Sequence, residues 1–111
     1  MDATLSPGAG SAEGFDPVIH APARLQIMAV LAGVQEAEFA LLRKTVQVSD
    51  SVLSKHLSQL GDAGYVRLRK AARDGRQHTW ASITREGRSA FVAHVRALQS
   101  LARVVDELAA E

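Results

Sequence analysis

Ser51, Ser54, Lys55 and Gln59 are spaced so that a helix would carry all four on its outer side. Their chemistry is hydrogen bonding: hydroxyls give or take a proton, an amide does both, and an ammonium only donates. Such groups suit phosphate oxygens and the edges of bases in a duplex groove. Shortly downstream, Arg73-Asp74-Gly75-Arg76 sets two guanidinium groups on either side of a tight turn. Those cations suit phosphates or the negative potential of a minor groove. Either feature alone would be an ordinary solvated surface. Their close succession in the chain is what argues for a nucleic-acid face.

His56 borders the same helix face, and three roles stay open for it: a DNA contact, a structural histidine, or a metal ligand. The chain has no cysteine, which excludes disulfides, thiolate nucleophiles and Cys-based zinc sites. His20, His78 and His94 lack mutual i, i+4 spacing, so no metal is expected on them. There is no Gly-rich phosphate loop, no nucleophile-and-base motif and no carboxylate pair suggesting a cleft. The expectation is a protein without enzyme activity and without a cofactor.

The elements that must hold these residues follow from pattern. Asp16-Pro17 reads as a helix entry, with Asp as N-cap and Pro in the first turn. Ala21-Pro22 separates that turn from an apolar helix carrying Leu25, Ile27, Met28, Val30 and Leu31 and ending near Gly33. Residues 35–38 read as a loop with room for a brief strand pairing. Phe39, Leu42 and Val46 mark a second short helix. Ser49 or Asp50 caps a third, of about residues 49–63, in which Val52, Leu53, Leu57 and Leu60 point inward. Gly64 supplies its left-handed stop.

Tyr65 to Lys70 and Gln77 to Ile83 alternate as two strands around the Asp74-Gly75 turn. Thr84 then caps a long last helix. Its residues Phe91, Val95, Leu98, Ala102, Val105 and Ala109 repeat at spacings of 4, 3, 4, 3 and 4, and Leu101 and Leu108 widen the stripe. That stripe is longer than one small domain needs, so its distal part reads as a homodimer surface.

The 111 residues suffice for one domain, and a hydrophobic content of 47% is that of a globular chain. The net charge of +1 is uninformative, but its distribution is not. Between Tyr65 and Arg76, Arg67, Arg69, Lys70, Arg73 and Arg76 face only Asp74. From Leu101 onward, Arg103 stands against Asp106, Glu107 and Glu111. The excess of arginine and alanine suggests a GC-rich bacterial genome. No apolar run is long enough to span a bilayer, and the first residues lack a secretory pattern, so the expected location is the cytoplasm, away from any membrane. Residues 1–14, rich in Gly, Ala, Ser and Pro, read as a flexible tail.

The order is helix, helix, helix, strand, turn, strand, helix: mainly α with a small β-hairpin. Four motifs give it an identity. They are Phe39-x-x-Leu42, then Leu53-Ser54-Lys55-His56-Leu57, then Leu60-x-x-Ala63-Gly64-Tyr65-Val66, then Ile83-Thr84-x-x-Gly87-Arg88. From about Phe15 to Leu98 the chain resembles the winged helix-turn-helix transcriptional regulators of the MarR and ArsR type. The resemblance implies a DNA-binding unit over residues 15–84 and a dimerisation helix over 85–111. It implies a third helix in the major groove and a wing of about residues 65–83 on the adjacent minor groove or backbone.

The DNA-contact candidates are Ser49, Ser51, Ser54, Lys55, His56, Gln59, Arg69, Arg73 and Arg76. The outer-face arginines have a second use, covering Trp80 with their stems. The dimerisation candidates are Phe91, Val95, Leu98, Leu101, Val105 and Leu108. The expected partners are double-stranded DNA, as a pseudo-palindromic operator, and a second copy of the chain. A small-molecule effector is left open, although the ligand pocket of larger MarR proteins is not expected and the cysteine pair of metal-sensing ArsR proteins is missing. The rival reading is a winged helix that binds protein and has no specific DNA binding. A neutral wing and an acidic third helix would favour it, and this chain has the opposite.

Overall fold

The computed structural model describes residues 13–110. Most of the stretch read as a tail therefore lies outside the described residues. The elements are α1 (Pro17–His20), α2 (Pro22–Ala32), β1 (Ala37–Glu38), α3 (Phe39–Val46), α4 (Asp50–Asp62), β2 (Val66–Arg73), β3 (Arg76–Ile83) and α5 (Arg85–Ala109). This is the winged-helix arrangement expected from the sequence.

Three of the helices, α1, α4 and α5, start where a side-chain cap dictates. Asp16 accepts from the Val18 N–H, Ser49 from the Val52 N–H and Thr84 from the Gly87 N–H. Each satisfies a donor the first turn cannot pair. Ala21 is extended between two prolines' helices, which is why α1 and α2 are separate. Between α3 and α4 the chain turns in three residues, with Gln47 left-handed at φ 61° and its N–H returning to the Arg43 carbonyl. The core is built from Ile19, Ile27, Met28, Leu31, Leu42, Leu53, Leu57 and Leu60, all buried. Each such side chain contributes roughly 1.5–3 kcal/mol.

The sheet is antiparallel in the order β1-β3-β2. The brief pairing at residues 35–38 is real: Ala37 and Glu38 lie opposite Ala81 and Trp80. The hairpin is tighter and longer than the alternation indicated. Its strands run to Arg73↔Arg76, closed by Asp74 at φ 54° and Gly75 at φ 75°. Two consecutive left-handed residues make a type I′ turn, whose twist matches the flanking strands.

Val52, read as inward, is not, and Leu68, on the same strand face as Val66, is exposed as well. Val52 is 41% exposed and Leu68 42%. Val52 sits on the flank of α4 rather than at its centre. Leu68 lies beyond the point where β2 leaves the helices, so only Val66 reaches the core.

The junction that aims α5 is made by backbone. Gly64, at φ 82°, ends α4, and the Tyr65 N–H returns to the Leu60 carbonyl. The Thr84 hydroxyl donates to the Gly64 carbonyl at 2.6 Å while capping α5. The Thr84 N–H donates to the Tyr65 carbonyl.

His94 of α5 is fully buried. Its Nδ1 accepts from the Asp16 N–H at 2.9 Å, and its Nε2 lies 3.1 Å from Nδ1 of His20. Since Nδ1 is an acceptor, the ring's proton must sit on Nε2 and point at His20. Phe15 closes the cluster edge-on to both rings. The Tyr65 hydroxyl donates to the Asp16 carboxylate. Burial first, and then the charge of His20, hold His94 below the ordinary histidine pKa, with Asp16 acting the other way.

The unfolded chain binds a proton near pH 6.5, and the folded chain resists it. This contribution to stability is present above about pH 6.5 and is lost as pH falls below it. The melting temperature should therefore drop between pH 7 and pH 5. His94→Asn, which keeps an acceptor for the Asp16 N–H, should flatten that slope. An unaltered slope in the variant would acquit His94.

Candidate nucleic-acid interface

The outer face of α4 carries Ser51, Ser54, Lys55 and Ser58, all exposed. The inner face is taken up by Leu53, Leu57 and Leu60, and the i, i+4, i+7 spacing leaves the polar residues no other side. Ser49 spends its hydroxyl on the cap, 3.2 Å from the Val52 N–H, and stands 3.3 Å from the Ser51 hydroxyl. Asp50, in the first turn, is paired with Arg43 of α3 at 2.9 Å. That pair offsets a negative charge beside the face, and Lys44 adds an exposed cation in the last turn of α3.

His56 and Gln59 occupy the flank of α4 that turns toward α2. Both meet Arg24. Its Nη1 lies 2.6 Å from Gln59 Oε1 and 3.2 Å from His56 Nδ1, and its Nε–H donates to the Val18 carbonyl. Partial burial, followed by the charges of Arg24 and Lys55, lowers the pKa of His56, and Gln59 works the other way. His56 is thus neutral near pH 7. The sequence reading missed Arg24. A signal for it existed, since Arg24 is the only charged residue in the mostly apolar α2.

In the wing, Arg73 and Arg76 are exposed and paired across the turn, where the reading placed them. Arg67 and Lys70 are exposed as well. Arg69 differs. Its Nη2 and Nε meet the two Glu36 oxygens at 2.7 and 2.9 Å, and its guanidinium carbon lies 4.4 Å from the centre of the Trp80 ring. Their hydrogen bonds first, and their opposite charges with them, lower the Glu36 pKa and raise that of Arg69, against a smaller effect of burial. Glu38 meets His78, whose ring is tilted against Trp80. These contacts tie the base of the wing to the β1 segment and leave the tip free.

Along α5, Phe91 packs against the domain's own core. Val95 and Leu98 are half-buried, and exposure then climbs to 44% at Leu101, 55% at Val105 and 67% at Leu108. Among the described residues no three His, Asp or Glu side chains gather as a metal site, and no helix is long and apolar enough to cross a membrane.

Comparison with known proteins agrees with this geometry. Residues 23–102 match the family model described as a winged helix DNA-binding domain. The chain is 29% identical over 89 residues to the uncharacterized protein MJ0432 of Methanocaldococcus jannaschii, covering 80% of this chain and 97% of that one. A transcriptional regulator homologue from Pyrococcus horikoshii superposes with a TM-score of 0.68 at 31% identity, over 82% of this chain and 87% of the other. A zinc-responsive MarR family member, ZitR of Lactococcus lactis, shares the fold with a TM-score of 0.61 at 20% identity, over 89% and 66% of the two chains. A helix with an exposed polar face, a basic two-stranded ribbon beside it and a match over most of the chain converge: this protein belongs to the winged helix DNA-binding domain family of transcriptional regulators.

Proposed function

We propose that this chain acts in the cytoplasm as a homodimeric transcriptional regulator of a pseudo-palindromic operator. In this reading α4 enters the major groove, and the Arg73–Arg76 tip lies on the adjacent minor groove or phosphates. The observation that carries it is the exposed Ser51, Ser54, Lys55 and Ser58 row, flanked by a turn on which Arg73 and Arg76 are both exposed. Lys55 supplies a donor for a guanine edge or a phosphate, and the short serines permit close approach of the helix. Ser49 and Arg69 act indirectly, one as a cap and the other as an anchor of the wing. Dimerisation uses the part of α5 beyond Leu98.

One experiment separates the two halves of the interface. Binding is measured to a duplex selected from genomic fragments and to a scrambled duplex, over a range of salt. Lys55→Ala should weaken the selected duplex by about 1–3 kcal/mol if Lys55 reads a base, and Ser54→Ala should weaken it in the same direction. Arg73→Ala with Arg76→Ala should weaken both duplexes and make the salt slope shallower by roughly one to two. Equal wild-type affinity for the selected and scrambled duplexes would overturn the reading in favour of a protein-binding winged helix.

A further inference from the structure

We propose that Arg24 is a positioning residue that makes the α2-facing flank of the recognition helix a hydrogen-bond donor edge, suited to guanine and not to adenine. The inference rests on the reading of α4 as the groove helix.

The argument begins with what a guanidinium can do. It donates five N–H bonds and accepts none. Any side-chain atom within hydrogen-bond distance of it must therefore be an acceptor. Gln59 is held 2.6 Å from Arg24 Nη1 by its amide oxygen, so the NH2 group is the end left for a ligand. Gln59 is exposed, so that end is reachable. His56 is held at 3.2 Å by Nδ1, so its proton sits on Nε2 at the far side of the ring. Two side chains that could each present either polarity both turn an acceptor toward Arg24 and a donor away from it. Lys55, next to them, is a donor by nature.

Arg24 is itself fixed. Its Nε–H is taken by the Val18 carbonyl in α1. Asp16 caps α1 through the Val18 N–H, and the Asp16 N–H is bound to the buried His94. Swinging away would cost the guanidinium this bond to a helix that is itself anchored on α5. It also borders a surface recess of about 410 Å³ lined by Pro17, Val18, Gln59, Asp62 and Ala63, so room exists beside the Gln59 amide.

The consequence for sequence reading is specific. An unrestrained glutamine recognises adenine by accepting from N6 and donating to N7 at once. With its oxygen turned to Arg24 and one of its two lone pairs taken, Gln59 no longer presents oxygen and NH2 side by side to a base edge, which disfavours that pair. Guanine presents two acceptors, N7 and O6, in the major groove. Phosphate oxygens are acceptors too, and the test below distinguishes them.

Duplexes are selected from a randomised pool by the wild-type chain, Gln59→Ala, Arg24→Met and Arg24→Lys. The wild type should enrich guanine at a position whose preference disappears in Gln59→Ala. Arg24→Met frees the amide, so the adenine-to-guanine ratio there should rise about tenfold, the discrimination of one bidentate pair. Arg24→Lys keeps a donor toward Gln59 and should restore most of the guanine preference. Ring nitrogen NMR of His56, read without DNA, should show the Nε2–H tautomer in the wild type and a mixture in Arg24→Met. Thermal melts identify a variant that has lost its fold, in which case Arg24→Lys and the wild-type tautomer decide.

An unchanged base preference in a folded Arg24→Met variant would overturn the proposal. So would a Gln59→Ala variant that loses affinity for all duplexes equally, which would place Gln59 on phosphate. A wild type without any sequence preference would refute the groove reading instead, and the His56 tautomer would still report whether Arg24 sets polarity.

Discussion

Gly87→Ala is expected to destabilise the fold by roughly 2 kcal/mol or more, although it places a better helix former inside a helix. A Cβ at Gly87 would stand 2.2 Å from the Tyr65 carbonyl oxygen and 2.9 Å from the Tyr65 carbonyl carbon and Cα. All three are backbone atoms, so no rotamer change relieves the clash. The same Tyr65 carbonyl accepts from the Thr84 N–H, so moving it away breaks the junction that starts α5. Overpacking costs about 1–3 kcal/mol and occasionally more, and a 2.2 Å approach to a backbone oxygen puts this site at or beyond the upper end. The gain in helix propensity from Gly to Ala is about 1 kcal/mol, so the clash wins. For a domain of this size the melting temperature should fall by roughly 8 °C or more. Ser89→Ala, at an exposed position of the same helix, should stay within about 0.5 kcal/mol of wild type. A Gly87→Ala variant that melts at or above the wild-type temperature would mean that α5 does not leave the wing as described.

Leu101→Asp is expected to convert the proposed homodimer into monomers and to remove tight operator binding with it. The distal part of α5 is a helix whose apolar residues become more exposed toward its end, with Leu108 at 67%. A solvated helix has no use for Leu98, Leu101, Val105 and Leu108 on one stripe. Burying them against a second copy contributes roughly 1.5–3 kcal/mol for each fully buried side chain, before the cost of association. A carboxylate in the middle of that stripe replaces one such gain with an unpaired charge. Leu98→Asp is the riskier variant, because Leu98 is half-buried in the monomer and its loss can unfold the chain.

In the proposed reading one α4 helix covers only a few base pairs, so a monomer would hold a half-site weakly. Two copies would read half-sites roughly 34 Å apart. Sedimentation at micromolar concentration checks the first claim and operator titration the second. A wild-type chain that sediments as a well-folded monomer would remove both.

What could be read from the sequence was whatever depends on neighbours along the chain. Asp16, Ser49 and Thr84 cap their helices by reaching two or three residues ahead. Asp74-Gly75 turns the hairpin because two adjacent residues accept positive φ. The polar row on α4 follows from 3.6 residues per turn. These local rules were enough for the element order, the wing and the groove-facing candidates.

The tertiary structure alone decided what distant residues do to one another. Arg24 reaches His56 and Gln59 across 32 and 35 residues, and His20 meets His94 across 74. The spacing rule that argued against a metal on the histidines looks only along one helix, and is silent on two rings brought together by packing. Arg69 looked like any other wing cation until Glu36 and Trp80 were found beside it. Gly87 stood in a legible motif, but its reason is a carbonyl 22 residues earlier. Side-chain type and spacing fix which hydrogen bonds are possible. Only the packed chain fixes which donors and acceptors are already taken, and so which remain for DNA.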